Sequence, residues 1–89
     1  MVRTRVVAHG RVQGVFYRDT CRREASANGV AGWVRNCPDG TVEAVFEGDA
    51  DAVQRMVEWA REGPSYARVD RLDEYDEEPA GESAFRIKH

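Results

Sequence analysis

The sequence predicts an α+β fold in which an antiparallel sheet of four to five strands carries two helices packed on one face. β-Branched segments with apolar residues at alternate positions surround two segments with helical periodicity. Their order along the chain is strand, helix, strand, strand, helix, strand, with one further short strand. This is the split βαβ (βαββαβ), or ferredoxin-like, arrangement, and right-handed crossovers leave few other ways to connect such elements.

The first predicted elements are a strand over residues 2–8 and a helix over residues 17–28. β-Branched and small residues at even positions share one face of the strand. Semi-apolar residues recur at helical spacing in the helix. Asn28-Gly29 is a favoured helix stop, because glycine adopts the left-handed conformation freely.

The middle of the chain predicts a hairpin and a second helix. Strands over residues 30–36 and 41–47 flank the turn Cys37-Pro38-Asp39-Gly40. The helix follows, with Asp49 or Asp51 as its N-cap and Gly63-Pro64 as its end. Its apolar residues fall at positions i, i+3, i+4 and i+7: Val53, Met56, Val57 and Ala60.

The last third of the chain predicts two further strands. Residues 67–75 form a charged strand, residues 79–81 a turn, and residues 84–88 a short final strand with Phe85 and Ile87 facing inward. The acidic stretch 73–78 is interpreted as a solvated sheet edge, where charges discourage pairing with another edge.

Length and composition exclude several classes of protein. A chain of 89 residues predicts a single domain, residues 1–89. The net charge of −3 argues against nucleic-acid binding, which needs a basic face. Charges interrupt every apolar run, so we expect no signal peptide or membrane span and a cytoplasmic location. Cys21 and Cys37 form no C-x-x-C pair and no ligand cluster with His9 and His89, so we expect no metal. A disulfide between them is the alternative to two free thiols, and the compartment favours the free thiols.

The segment HGRVQGVFYRDT, residues 9–20, places two glycines and an arginine between the first strand and the first helix. A short glycine-containing turn at a helix N-terminus aims several backbone N–H groups at one point, where they attract an anion. Gly14 permits unusual backbone angles, and Arg18 adds a planar fork that suits two oxygens of a phosphate. On these residues alone, a plain β-to-α turn with an exposed arginine remains an equal alternative.

Two further motifs bear on function. Asn36 ends the second strand, where its amide can bind a water, although an asparagine that merely finishes a strand is the simpler interpretation. The segment from Asp49 to Val53 fits the D-x-D-x-[TV] pattern of magnesium-dependent aspartyl-phosphate phosphatases. That chemistry requires a large doubly wound sheet, for which the chain has no length, so we interpret Asp49 and Asp51 as helix caps.

Three segments together resemble the acylphosphatase family. They are GRVQGVFYR (10–18), GWVRN with DGTVEAVFEG (32–36 and 39–48), and GPSYARVD (63–70), in the family's order and spacing. The resemblance covers nearly the whole chain. GPSYARV departs slightly from the more usual GPP-x-A-x-V, which we expect to affect only a loop.

The resemblance implies hydrolysis of acyl phosphates to a carboxylate and inorganic phosphate, without a metal or organic cofactor. The family's catalytic arginine and asparagine match Arg18 and Asn36. Its phosphate cradle of backbone amides falls on Gln13, Gly14, Val15, Phe16, Tyr17 and Arg18. We expect inorganic phosphate to bind as product and competitive ligand, and the chain to act as a monomer.

The rival interpretation is a non-catalytic module of the same fold that binds a small anionic ligand or regulates another protein. RNA readers of this topology stack bases on strand aromatics within a basic surround. The third strand offers only Phe46, flanked by Glu43 and Glu47, so we do not expect RNA binding. Tight binding of an acyl phosphate without turnover would favour the regulatory module.

Overall fold

A computed structural model describes all 89 residues and contains every element that the sequence predicts. In chain order these are β1 (Val2–Arg11), α1 (Tyr17–Ala27), β2 (Ala31–Asn36), β3 (Val42–Gly48), α2 (Ala50–Glu62), β4 (Arg68–Glu77) and β5 (Phe85–Ile87). Most ends lie within two residues of their predicted positions. The exception is β1, which continues to Arg11 because its end stays paired with β4.

The sheet has the strand order β4-β1-β3-β2-β5. It is a mixed sheet, whereas the sequence predicts an antiparallel one. The pairs β1·β4, β1·β3 and β2·β3 are antiparallel, whereas β5 pairs with β2 in parallel. β4 and β5 lie at opposite edges, and the segment that joins them crosses one end of the sheet. β5 therefore runs opposite to β4, and this direction makes it parallel to β2.

One face of the sheet carries both helices and the core. α1 packs on β2 and β5, while α2 packs on β1, β3 and β4. Apolar side chains from both layers form one buried cluster of 19 residues, which includes Val6, Val34, Phe46, Cys21 and Met56. Phe85 of β5 belongs to this cluster and Ile87 packs against it, as the alternation predicts. The predicted α+β architecture is thus confirmed, apart from the direction of β5.

The helix ends agree partly with the predicted caps. α1 ends at Ala27, and Gly29 follows with φ 67°, which confirms the predicted helix stop. Asp49 occupies the N-cap position of α2, but its side chain accepts no hydrogen bond from the helix. Asp51 lies in the first turn, where its negative charge interacts favourably with the positive end of the helix dipole. The prediction that side-chain capping explains both aspartates is therefore wrong in its mechanism.

The open face of the sheet is covered by ion pairs. Arg3 contacts Glu47, Glu77 and Glu82 at 3.0–3.1 Å, and Arg5 contacts Glu77 at 3.0 Å. The acidic stretch does form a sheet edge, because it belongs to β4. It is more than a solvated edge, however, since Glu77 binds both Arg3 and Arg5 of β1. Neither α1 nor α2 has the length and apolar composition of a membrane-spanning helix.

Candidate active site

The connection between β1 and α1 begins beside Gly10, a position where only glycine fits. The register of β1 against β4 shifts between His9 and Gly10. A Cβ on Gly10 would lie 2.2 Å from the carbonyl oxygen of Arg68, at a φ of 126°, so a side chain does not fit. This close approach holds the end of β1 against β4 and fixes where the following loop leaves the sheet.

The loop itself turns through two left-handed residues. Gly14 has φ 73°, and a Cβ there would meet no atom within 4 Å. Phe16 has φ 63° and ψ 21°, and it is the one non-glycine residue with a positive φ. Left-handed residues next to a helix start turn successive N–H groups toward the same side.

The backbone donors of this loop are unpaired. None of the six N–H groups from Gln13 to Arg18 donates to a backbone or side-chain acceptor in the chain, and the first bond of α1 runs from Thr20 to Phe16. These six residues are the predicted phosphate cradle. Unpaired donors at a helix N-terminus attract anions, so this loop is chemically suited to hold one.

Arg18 lies in the first turn of α1 and is half-buried. It makes no hydrogen bond and no ion pair with any side chain. Its neighbour Asp19 binds Arg22 at 3.3 Å and Arg23 at 3.6 Å instead. The guanidinium of Arg18 is therefore available to a ligand.

Asn36 faces the helices because of its place in the sheet. It pairs with Val42, which pairs with Ala8, which pairs with Leu72, and directly opposed residues in antiparallel strands share a face. The other three residues of this row are buried in the core. The side-chain oxygen of Asn36 is buried as well, and it has no hydrogen-bond partner within the chain. A buried acceptor without a partner costs free energy, and a bound water or ligand would satisfy it.

A cleft of about 290 Å³ joins these groups. It lies at the end of the sheet where β1, β2 and β5 end and where α1 begins. Its lining residues are Val12, Gly14, Phe16, Tyr17, Arg18, Asp19, Asn36, Ile87 and His89. The fold thus brings both predicted catalytic residues and four of the six predicted cradle residues to one cleft.

The remaining cradle residues, Gln13 and Val15, do not line the cleft. Val15 is 6% exposed and its side chain belongs to the core. Gln13 directs its side chain to the β2–β3 turn, where its Nε2 donates to Cys37 O at 2.8 Å and Thr41 O at 2.9 Å. For both residues only the backbone N–H can face a ligand, which is the role predicted for them.

Four lining residues were missed by the sequence analysis. Val12 and Asp19 flank the predicted loop, so their nearness to Arg18 in the sequence could have indicated them. Ile87 and His89 reach the cleft only because β5 pairs in parallel with β2. No local pattern signals that pairing.

Two buried groups near the site, the Tyr17 hydroxyl and the Cys21 thiol, are held in their protonated forms. Burial raises the pKa of Tyr17, whose hydroxyl donates to Ala60 O at 2.7 Å. Burial also raises the pKa of the Cys21 thiol, and Cys21 and Cys37 are both free. His9 lies outside the cleft, with its Nε2 2.9 Å from Asp73 Oδ2. Asp49 begins α2 at the opposite end of the sheet, so the D-x-D-x-[TV] segment takes no part in the cleft.

Comparisons with known proteins agree with this architecture. A model of the acylphosphatase family matches residues 4–87. The acylphosphatase of Rubrobacter xylanophilus is 58% identical over an aligned length of 88 residues, and the match covers 97% of this chain and 79% of that protein. The acylphosphatase of Thermococcus kodakarensis is 51% identical over 86 residues, 97% of this chain and 94% of that protein. The crystal structure of acylphosphatase from Bacillus subtilis superposes with a TM-score of 0.95, at 34% identity and over 100% of both chains. With this sequence similarity along almost its whole length and the same fold, the chain belongs to the acylphosphatase family.

Proposed function

We propose that this chain hydrolyses acyl phosphates, the mixed anhydrides of a carboxylic acid and phosphoric acid, to a carboxylate and inorganic phosphate. The observation that carries the proposal is the cleft, where the unpaired Arg18 and the side-chain oxygen of Asn36, which has no partner, lie beside a loop with six unpaired backbone N–H groups. Membership of the acylphosphatase family supports the same reaction.

The loop and Arg18 bind the phosphoryl group. The N–H groups from Gln13 to Arg18 donate to its oxygens, and the guanidinium of Arg18 makes a forked contact with two of them. Phosphoryl transfer depends chiefly on positioning and on preorganised stabilisation of the charge on those oxygens. Donors that are already unpaired lose no internal hydrogen bond when they bind the phosphoryl oxygens.

Asn36 orients the attacking water. Its side-chain oxygen accepts a hydrogen from the water, which satisfies the buried acceptor. The water oxygen forms a bond to phosphorus while the bond from phosphorus to the acyl oxygen breaks, and the carboxylate leaves with that electron pair. A phosphate oxygen takes the proton of the water, because an amide cannot. The carboxylate is a good leaving group, so the reaction needs no strong general acid.

The proposed reaction takes place without a metal, since Arg18 and the amides supply the positive charge. Hydrolysis of benzoyl phosphate in the presence of a chelator tests this directly, and inorganic phosphate should inhibit competitively.

We further propose that the chain acts as a monomer on a free small molecule. Its net charge of −3 gives polyanions no attraction, and free Cys21 and Cys37 suit a reducing compartment such as the cytoplasm.

Replacement of Arg18 tests the site. Arg18→Lys should lower kcat/KM for benzoyl phosphate by about 100-fold or more, because a point charge cannot make the forked contact. Arg23→Lys is the matched control, since Arg23 lies on the same helix with its side chain 69% exposed, and it should retain activity. Full activity of a folded Arg18→Lys or Asn36→Ala protein would contradict the assigned roles.

The second candidate, a module that only binds anions, makes a different prediction. It would bind acyl phosphate and inorganic phosphate in the same cleft without turnover. Calorimetric titration together with a phosphate-release assay separates the two functions in one experiment.

A further inference from the structure

The side chain of Gln13 links the loop between β1 and α1 (residues 13–18, the phosphate loop) to the turn between β2 and β3. Its amide nitrogen donates to the carbonyl oxygens of Cys37 and Thr41, at 2.8 and 2.9 Å. Both partners are acceptors, so the NH₂ end of the amide must face them. Cys37 directly follows Asn36, and Thr41 lies opposite it across the neck of the β2–β3 hairpin, where the Cys37 N–H donates to Thr41 O at 2.9 Å.

These two bonds are the only hydrogen bonds between the phosphate loop and the hairpin that carries Asn36. The N–H groups from Gln13 to Arg18 are unpaired, and no other side chain of the loop bonds to residues 36–42. The sheet sets the place of Asn36 relative to β1, through Val42 and Ala8, and the amide of Gln13 adds the one direct hydrogen-bonded link between the loop and the hairpin.

The shape of the hairpin turn does not depend on Gln13. Asp39 Oδ1 accepts from the Thr41 backbone N–H at 3.0 Å and from its hydroxyl at 2.7 Å, which closes the turn from within. Hydrogen bonds from Thr41 also lower the pKa of Asp39, so this closure holds at neutral pH. Gln13 thus contributes the placement of the hairpin relative to the loop rather than its conformation.

We propose that the Gln13 side chain is a positioning residue that holds Asn36, and hence the attacking water, in line with a phosphoryl group in the loop. The proposal rests on the proposed hydrolysis of acyl phosphates. In-line attack requires a short and aligned approach, and a misplacement of about 1 Å can cost about 100-fold in rate. Gln13 acts through Asn36 and does not itself touch the substrate with its side chain.

Gln13→Met is the first test, since methionine is nearly isosteric and has no amide. It should lower kcat for benzoyl phosphate about 10- to 100-fold. The inhibition constant of inorganic phosphate should change by less than about threefold, because the loop N–H groups and Arg18 remain. Gln54→Met, at an exposed position of α2, is the matched control and should leave both constants unchanged. Circular dichroism checks that each variant is folded.

A double-mutant cycle with Asn36→Ala separates positioning from a general structural role. When Asn36 is already absent, Gln13→Met should lower kcat by no more than about twofold, because the two changes affect the same step. If Gln13→Met does not fold, Gln13→Asn replaces it. That variant keeps the amide, but the shorter side chain cannot reach both carbonyls, so kcat should again fall about 10-fold.

Three results would overturn the proposal: an unchanged kcat, a parallel rise in the phosphate inhibition constant, or additive losses in the cycle. The first would show that the hydrogen bonds are dispensable, and the second that Gln13 shapes the loop. The third would show that it acts independently of Asn36. A wild-type protein without acyl phosphate hydrolysis would instead overturn the proposed function, and this inference with it.

Discussion

Phe16 holds a backbone conformation that large side chains rarely adopt. Its φ of 63° and ψ of 21° are left-handed, and its side chain is 70% exposed. For a residue with a Cβ this conformation costs about 1–2 kcal/mol. The exposed ring recovers little of that cost through burial. The strain persists at the N-cap of α1, two residues before Arg18, and both residues line the cleft.

Substitutions at Phe16 should reveal this strain. Phe16→Gly and Phe16→Ala both delete the ring, but only glycine is free of the left-handed penalty. The glycine variant should therefore be about 1 kcal/mol more stable than the alanine variant. Urea unfolding of the two proteins measures the difference. Equal stabilities would mean that the backbone relaxes out of the left-handed region when the ring is removed.

At the scale of elements, Glu47 fixes the segment that leads into β5. Its side chain is 1% exposed, and it accepts hydrogen bonds from the backbone N–H groups of Ala80, Gly81 and Glu82 at 2.7–2.9 Å. Arg3 binds the same carboxylate at 3.1 Å. The segment is thereby pinned across the end of the sheet, so that β5 starts beside β2 and brings its C-terminal end to the cleft.

Removal of this carboxylate should be costly. Glu47→Ala leaves three backbone donors and Arg3 without their buried acceptor, and we expect a loss of about 3–5 kcal/mol in the free energy of unfolding. Asp70→Ala is the control, because Asp70 belongs to an exposed ion pair with Arg68 and should cost less than about 1 kcal/mol. Chemical denaturation compares the two variants. Similar losses for both would mean that the segment is held by other contacts.

At the scale of the whole molecule, folding lowers the pKa of three carboxylates on or beside the open face of the sheet, those of Glu47, Glu77 and Asp73. The main cause for Glu47 is the hydrogen bond from the Ala80 N–H, which lowers the pKa although the burial of Glu47 acts to raise it. The main cause of the lower pKa is a hydrogen bond from Arg3 for Glu77, and a hydrogen bond with His9 for Asp73. The folded protein therefore binds fewer protons than the unfolded chain in acid.

The pH dependence of stability follows from this difference. The stabilisation is fully present above the ordinary carboxyl pKa of about 4, and it is lost as the pH falls through the lower pKa values of the folded state. We expect the free energy of unfolding to be nearly constant from about pH 7 to 5 and to fall below about pH 4. Glu47→Gln should be less stable at neutral pH but should lose less on acidification. Glu58→Gln, at an exposed site of α2, should follow the wild type. A profile that rises in acid would contradict the assigned shifts.

Much of this molecule could be predicted from local patterns. The hydrophobic period identified each helix and strand, and Asn28-Gly29 marked the end of α1, because these signals are short-range. Gly14, Arg18 and Asn36 were indicated by chemistry suited to an anion and a water, and all three line one cleft. Their catalytic roles stay a prediction until the variants are assayed.

Other features could not be predicted, because they depend on which segments become neighbours. The side-chain oxygen of Asn36 is an orphaned acceptor only because the row through Val42, Ala8 and Leu72 faces the helices. The amide of Gln13 finds its two carbonyls on a hairpin that is distant in the sequence. Neither feature has a local signature in the sequence.

Local signals were enough to predict the types and order of the elements and the groups able to bind a phosphate, since periodicity, glycine conformation and a guanidinium fork are properties of short segments. Only the tertiary structure decided that β5 pairs in parallel with β2, which brings Ile87 and His89 to the cleft. It also decided that Gln13 joins the loop to the hairpin. The physical reason is that strand neighbours and long-range hydrogen bonds are selected by the packing of the whole core, to which every element contributes.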